Sequence, residues 1–180
     1  AGEHPRVFFT REDLPQLRRK AADVPVARRA FLAMRARAAR LSNPNDAGGS
    51  LVNAILNGEP FSIEPAYGGN AGGFFLALLE GAYVAWIGEN GESDAAALKR
   101  LATALSGACR ESLKWYSSNH QNALCHDINW AVSLAYDLRD DTTDSHGRAD
   151  ARRLIRRMTR IRNSGGASEL PQDNSTTWKG

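Results

Sequence analysis

The densest run of groups able to do chemistry lies between Trp115 and Trp130. Trp115, Tyr116, Asn119, His120, Gln121, Asn122, His126, Asp127, Asn129 and Trp130 follow one another closely there. His126, Asn129 and Trp130 stand at i, i+3 and i+4, so on a helix they share one face. An indole face packs against a pyranose ring, while amides and imidazoles hold hydroxyls or carboxylates. The stretch therefore reads as the rim of a carbohydrate site, with Trp115, Asn119, His120, His126, Asn129 and Trp130 as substrate contacts. The plainer reading stands beside it: His120 is a loop residue, and His126 and Asn129 satisfy backbone groups at a helix start. A later polar cluster, residues 172–178, follows Ser164-Gly165-Gly166 and Pro171 and adds Trp178 to the same set of contacts. It looks like a loop entering a further helix, which leads us to expect a continuation of the pattern beyond Gly180.

Other chemistries find little footing. Cys109 and Cys125 fall near the end of one expected helix and the start of the next, where an antiparallel hairpin sets them opposite each other. A disulfide there would contribute about 3 kcal/mol by closing a short loop; two buried free thiols are the alternative. Cys125 and His126 are adjacent rather than helically spaced, and no CxxC occurs, so no metal site is expected. No GxSxG, phosphate-binding P-loop, GxGxxG or HExxH is present, and no cofactor is expected.

The elements that must position these groups read as helices almost throughout. Thr10 followed by Asp13 is an N-terminal capping arrangement with Phe9 placed to staple onto Leu14, and Pro15 restricts residues 10–13 to a turn before a helix that begins at Leu14. That helix should stop before Pro25. A second covers residues 26–41 with Phe31, Leu32, Met34, Ala38 and Leu41 inward, ended by Asn43-Pro44-Asn45-Asp46. A short helical turn at 51–56 leads into residues 57–73, a stretch with too many Gly and Pro for regular structure and long enough to be functional.

Residues 74–87 are apolar nearly all round, which a helix tolerates only when other helices surround it, so they form the buried centre. Gly88 caps that helix, and Ser93 starts the next with Leu98, Leu101, Leu105 and Leu113 inward, making an antiparallel hairpin. A further helix near 122–138 precedes an Arg-rich one whose apolar stripe is Ala151, Leu154, Ile155, Met158 and Ile161. The fold class expected is all-α, built from antiparallel helical hairpins, as one domain over residues 1–180.

Composition agrees. Of the 180 residues, 42% are hydrophobic and 24% charged, which excludes disordered and low-complexity classes. The longest apolar stretch, residues 72–87, is interrupted by Glu80 and falls short of the roughly 20 residues a membrane span needs. Residues 1–6 have neither a basic start nor an apolar run, so no secretion signal is expected within the chain. The net charge of +3 conceals an uneven distribution: residues 1–41 and 148–180 are strongly basic, and residues 42–147 acidic. Basic ends attract polyanions, although solvated Arg faces on Ala/Arg-rich helices are the stronger explanation. The Arg-rich helix lacks interleaved aromatics, so nucleic acid is not the expected partner.

Three stretches, in order, resemble the N-terminal region of the heparinase II/III-type and alginate-lyase-type polysaccharide lyases. Residues 4–14, HPRVFFTREDL, are similar to the family's "PR-hydrophobic-T-x-E-D-L" opening. Residues 81–88, GAYVAWIG, with the helix after them, resemble its "A-Y-x-x-x-G" helix pair, and residues 130–138, WAVSLAYDL, its "A-Y-D-W-L" helix. The resemblance implies an incomplete (α/α) toroid, of which this chain is the N-terminal portion, in a secreted or periplasmic protein. It implies β-elimination on a uronic-acid glycan: a base removes the C5 proton while a polar group neutralises the carboxylate. In the family an Asn followed by His or Trp serves that neutralising role. Asn174 is the position that matches, followed here by Ser175-Thr176-Thr177-Trp178, and the family's Tyr and His come from later in the chain. The expected partner is an acidic polysaccharide or oligosaccharide. A helical module that binds carbohydrate or protein without catalysis is the alternative. In a toroid, residues 57–73, 115–130 and 172–178 converge on one concave face.

Overall fold

The computed structural model describes residues 9–63, 71–88, 92–118, 149–150 and 152–156, and every regular element among them is helical. The chain enters through the expected turn: the Asp13 carboxylate accepts the Thr10 backbone N–H at 2.7 Å and the Thr10 hydroxyl at 2.9 Å. These bonds hold the Asp13 carboxyl below its ordinary pKa, the backbone bond contributing most. A short 3-10 turn, Arg11–Asp13, leads into α1 (Leu14–Asp23), with Pro15 in the first turn where its missing N–H costs nothing. Val24 is extended, as the residue before a proline prefers, and Pro25 opens α2 (Pro25–Arg40).

On α2, Phe31, Met34 and Ala38 are half-buried and lead to the buried Leu41. Leu32, expected inward, is instead 42% exposed. Its position lies about 100° around the helix from Phe31, outside the three-and-four spacing that the other four residues keep.

The turn expected at 51–56 is a longer helix, α3 (Ala47–Asn57). Asp46 caps it by accepting the Gly48 N–H at 3.2 Å, and Arg40 Nε donates to the same side chain at 2.7 Å. Gly48 and Gly49, which precede the expected turn, are buried inside it. A Cβ on Gly49 would stand 1.9 Å from the Asn43 carbonyl oxygen, so the glycine is required by the close approach of the preceding turn.

Helix α4 (Ala71–Ile87) starts three residues earlier than the apolar run suggests and is the centre of the fold. It packs against α1, α2 and α5 (Ala95–Ser118), and α5 packs in turn on α3. Phe74, Phe75 and Leu78 are fully buried, with Leu79, Ala82, Ala85, Trp86 and Ile87 close to it. Glu80, the charge within this run, forms a two-pronged pair with Arg37 of α2 at 2.8 and 2.6 Å. Gly88 caps α4 at φ 73°, its N–H donating to the Val84 carbonyl at 2.8 Å.

The next helix is capped by Asp94 rather than Ser93: Asp94 Oδ1 accepts the Ala97 N–H at 2.9 Å. The Ser93 hydroxyl turns back instead and donates to the Trp86 carbonyl at 2.9 Å, closing the α4–α5 hairpin from the other side. Of the Arg-rich segment, residues 149–150 and 152–156 are helical, with Leu154 fully buried, Ile155 packed on the core and Arg152, Arg153 and Arg156 exposed.

Candidate functional site

Of the residues expected to contact a sugar, Trp115 falls within α5. Asn119, His120, His126, Asn129, Trp130 and Trp178, together with Asn174, lie outside the described residues, as does Cys125. Cys109 is a fully buried free thiol. Burial, and then the nearby charge of Asp150, push its pKa well above the ordinary thiol value, so it is unreactive near neutral pH. Among the described residues no group of three or more His, Cys, Asp or Glu is placed to hold a metal ion. Nor is any of their helices long and apolar enough to cross a membrane.

The described helices carry instead a basic face with two adjoining hollows. Its anchor is Arg18 of α1. Arg18 Nε donates to the Ile87 carbonyl at 2.8 Å, and its Nη2 to the Trp86 carbonyl and the Ser93 hydroxyl, both at 3.0 Å. The last carbonyls of α4 form the negative end of that helix, and the guanidinium satisfies them directly. Beside this anchor a hollow of about 620 Å³ is lined by Arg18, Arg19, Arg28 and Arg35, with Asp23 as its one carboxylate and Phe31 and Leu32 as its apolar wall. Arg19 and Arg28 project from helices joined by the single residue Val24, and neither guanidinium has a hydrogen bond or ion pair to the described residues.

Arg35 and Gly88 also line the second hollow, about 440 Å³ between α2, α4 and α5, so the two adjoin; Glu92 and Asp94 line this second hollow together with Arg35 and Arg100. Small residues, Ala38, Gly81 and Ala85 among them, make the room. At its side, Arg100 Nη2 donates to Asn53 Oδ1 at 2.8 Å and, more distantly, to the Leu41 carbonyl at 3.4 Å, while Arg100 Nε is buried without a partner among the described residues.

The first hollow, with four arginines to one carboxylate, can hold an anionic group against guanidinium groups and apolar surface together. Reading the sequence misses it as a site because Arg19 and Arg28 are separated by eight residues and belong to no motif. The signal present is the excess of positive charge over residues 1–41.

The aromatic joint at the entry to α1 is structural. Phe9 meets Tyr83 edge-on at 5.7 Å between ring centroids and Trp86 at 6.4 Å, and the Arg11 guanidinium lies 5.2 Å from the Trp86 ring. Burial raises the Tyr83 pKa, which suits a packed phenol rather than a proton donor near neutral pH. No family model, curated protein or solved structure matches the chain.

Proposed function

We propose that the chain is the N-terminal toroid portion of a polysaccharide lyase that cleaves a uronic-acid glycan by β-elimination. The observation that carries the reading is the packing of the first two stretches that resemble the lyases. Phe9 and Arg11 of the opening segment lie on Tyr83 and Trp86 of the second. Segments that share one joint keep their order and residue types together, which favours a common architecture over chance similarity of apolar helices. The antiparallel α4–α5 pair is the kind of unit from which (α/α) toroids are assembled.

In this reading Asn174 neutralises the uronate carboxylate, which lowers the barrier to removing the C5 proton, and Tyr and His groups beyond Gly180 transfer the protons. Trp115, Asn119, His120, His126, Asn129, Trp130 and Trp178 hold the sugar rings, and the protein acts in a secreted or periplasmic setting. The test is incubation of the full-length protein with alginate, heparan sulfate, hyaluronan and ulvan while following the absorbance of the unsaturated uronate product. Growth of that band with one of them, abolished by Asn174→Ala, is the expected result. No change with any of the four sinks the reading. The 180 residues alone are expected to turn over little or nothing.

A second reading, a carbohydrate-binding helical module without catalysis, is favoured by the arginine-lined hollow between α1 and α2, which needs no acid or base to function. Glycan binding without product formation, lost in Trp130→Ala, distinguishes it from the enzyme.

A further inference from the structure

The four arginines around the α1–α2 hollow differ in what holds them. Arg18 is committed to the carbonyl end of α4 through three hydrogen bonds, so it forms a fixed wall. Elsewhere on α2, Arg37 and Arg40 have carboxylate partners in Glu80 and Asp46 and serve the fold. Arg19 and Arg28 are exposed, have no partner among the described residues, and face a space whose one carboxylate, Asp23, makes no ion pair with them there. Two exposed guanidinium groups over one hollow, without a partner among the described residues, repel each other weakly through solvent, which an anion relieves, and guanidinium forks match carboxylate and sulfate geometry. The volume of about 620 Å³ lies within the range of small-ligand sites. Leu32, 42% exposed on the same wall, supplies apolar surface against which the C–H face of a sugar ring can rest.

We propose that this hollow is a subsite for a carboxylate- or sulfate-bearing unit of an acidic oligosaccharide, held between Arg19 and Arg28. The ligand class rests on the functional reading above; the location rests on the structure. A nucleic acid is disfavoured because the wall offers no exposed aromatic platform for bases, and a concave hollow does not enter a duplex groove.

The experiment titrates the full chain with an oligouronate, which carries carboxylates alone, and with a heparin oligosaccharide, which adds sulfates, at near-physiological salt. Two variants are compared, Arg19→Ala/Arg28→Ala and Lys99→Glu, each lowering the net charge by two, with Lys99 exposed on α5. An affinity loss of about tenfold in the double variant, as two partly exposed charge-assisted contacts imply, with little loss in K99E supports the subsite. Whichever oligosaccharide shows that loss names the anionic group. Equal losses in both variants, no loss in either, no binding of either oligosaccharide by the parent chain, or tighter binding of a DNA duplex through the same residues overturns it. Unaltered melting of the double variant verifies the fold, and Arg28→Glu alone provides a second variant with the same expected ordering. Product formation by the full-length protein is read separately. Turnover unaffected by Arg19→Ala/Arg28→Ala, with unchanged binding, sinks the subsite and leaves the lyase. Binding that depends on the hollow, without product, does the reverse.

Discussion

Helices α2 and α4 lie against each other and are built on opposite terms. No residue within α2 is buried, and its arginines stand toward solvent, whereas α4 buries Phe74 and Phe75 completely and keeps one charge, Glu80, which α2 itself neutralises. The sequence expresses this difference as composition: an Ala/Arg helix with a narrow apolar stripe beside a helix apolar almost all round. Stability should therefore reside in α4 and its partners, and recognition on the α1–α2 face, where side chains can be changed without opening the core.

The strongest way to break the comparison is to empty the core. Phe75→Ala removes a fully buried ring and should cost about 3–5 kcal/mol, read by thermal or denaturant unfolding. A loss under about 1 kcal/mol would mean that α4 is not the structural centre. Next comes the end of the same helix. Gly88→Ala puts a Cβ at φ 73°, 1.7 Å from the Glu92 carbonyl oxygen, so the α4–α5 turn must shift, at about 1–3 kcal/mol by the same measurement.

The bridge between the two helices is weaker. Arg37 is 52% exposed and Glu80 18%, so a double-mutant cycle of Arg37→Ala and Glu80→Gln should give only a small coupling, falling with salt. The smallest effect belongs to the entry turn. In the folded chain the Asp13 carboxyl titrates below its ordinary value of 3.8, so its contribution to stability is present above that pH and lost as pH falls through the lowered value. Asp13→Asn should therefore lower stability slightly at neutral pH and flatten the acid limb of the curve, with variant and parent converging as pH falls through the lowered value.

Local chemistry made much of this legible. Thr10, Asp13 and Pro15 dictate the turn and the start of α1, Pro25 its end, and the apolar run its central helix. Where sequence reasoning falters, tertiary contact decides. The first turn of α3 lies outside the expected 51–56, and Gly49 stands in it because the chain at Asn43 passes too close for a side chain. Ser93 looks like the cap of α5, but its hydroxyl is drawn to the Trp86 carbonyl and Asp94 takes the role. The α1–α2 hollow is least legible, since Arg19 and Arg28 line one space only because α1 and α2 pack together across Val24. The residues chosen from sequence for sugar contact leave Trp115 in α5, with the others outside the described residues.

Melting curves with and without an acidic oligosaccharide test the division of labour most directly, since a ligand that binds the folded chain raises its stability by mass action. The account predicts that Arg19→Ala/Arg28→Ala melts with the parent chain in the absence of ligand, within about 0.5 kcal/mol as exposed substitutions usually do, and loses most of the shift the oligosaccharide gives the parent. A double variant that melts markedly lower without ligand, or that keeps the full shift with it, would contradict the account.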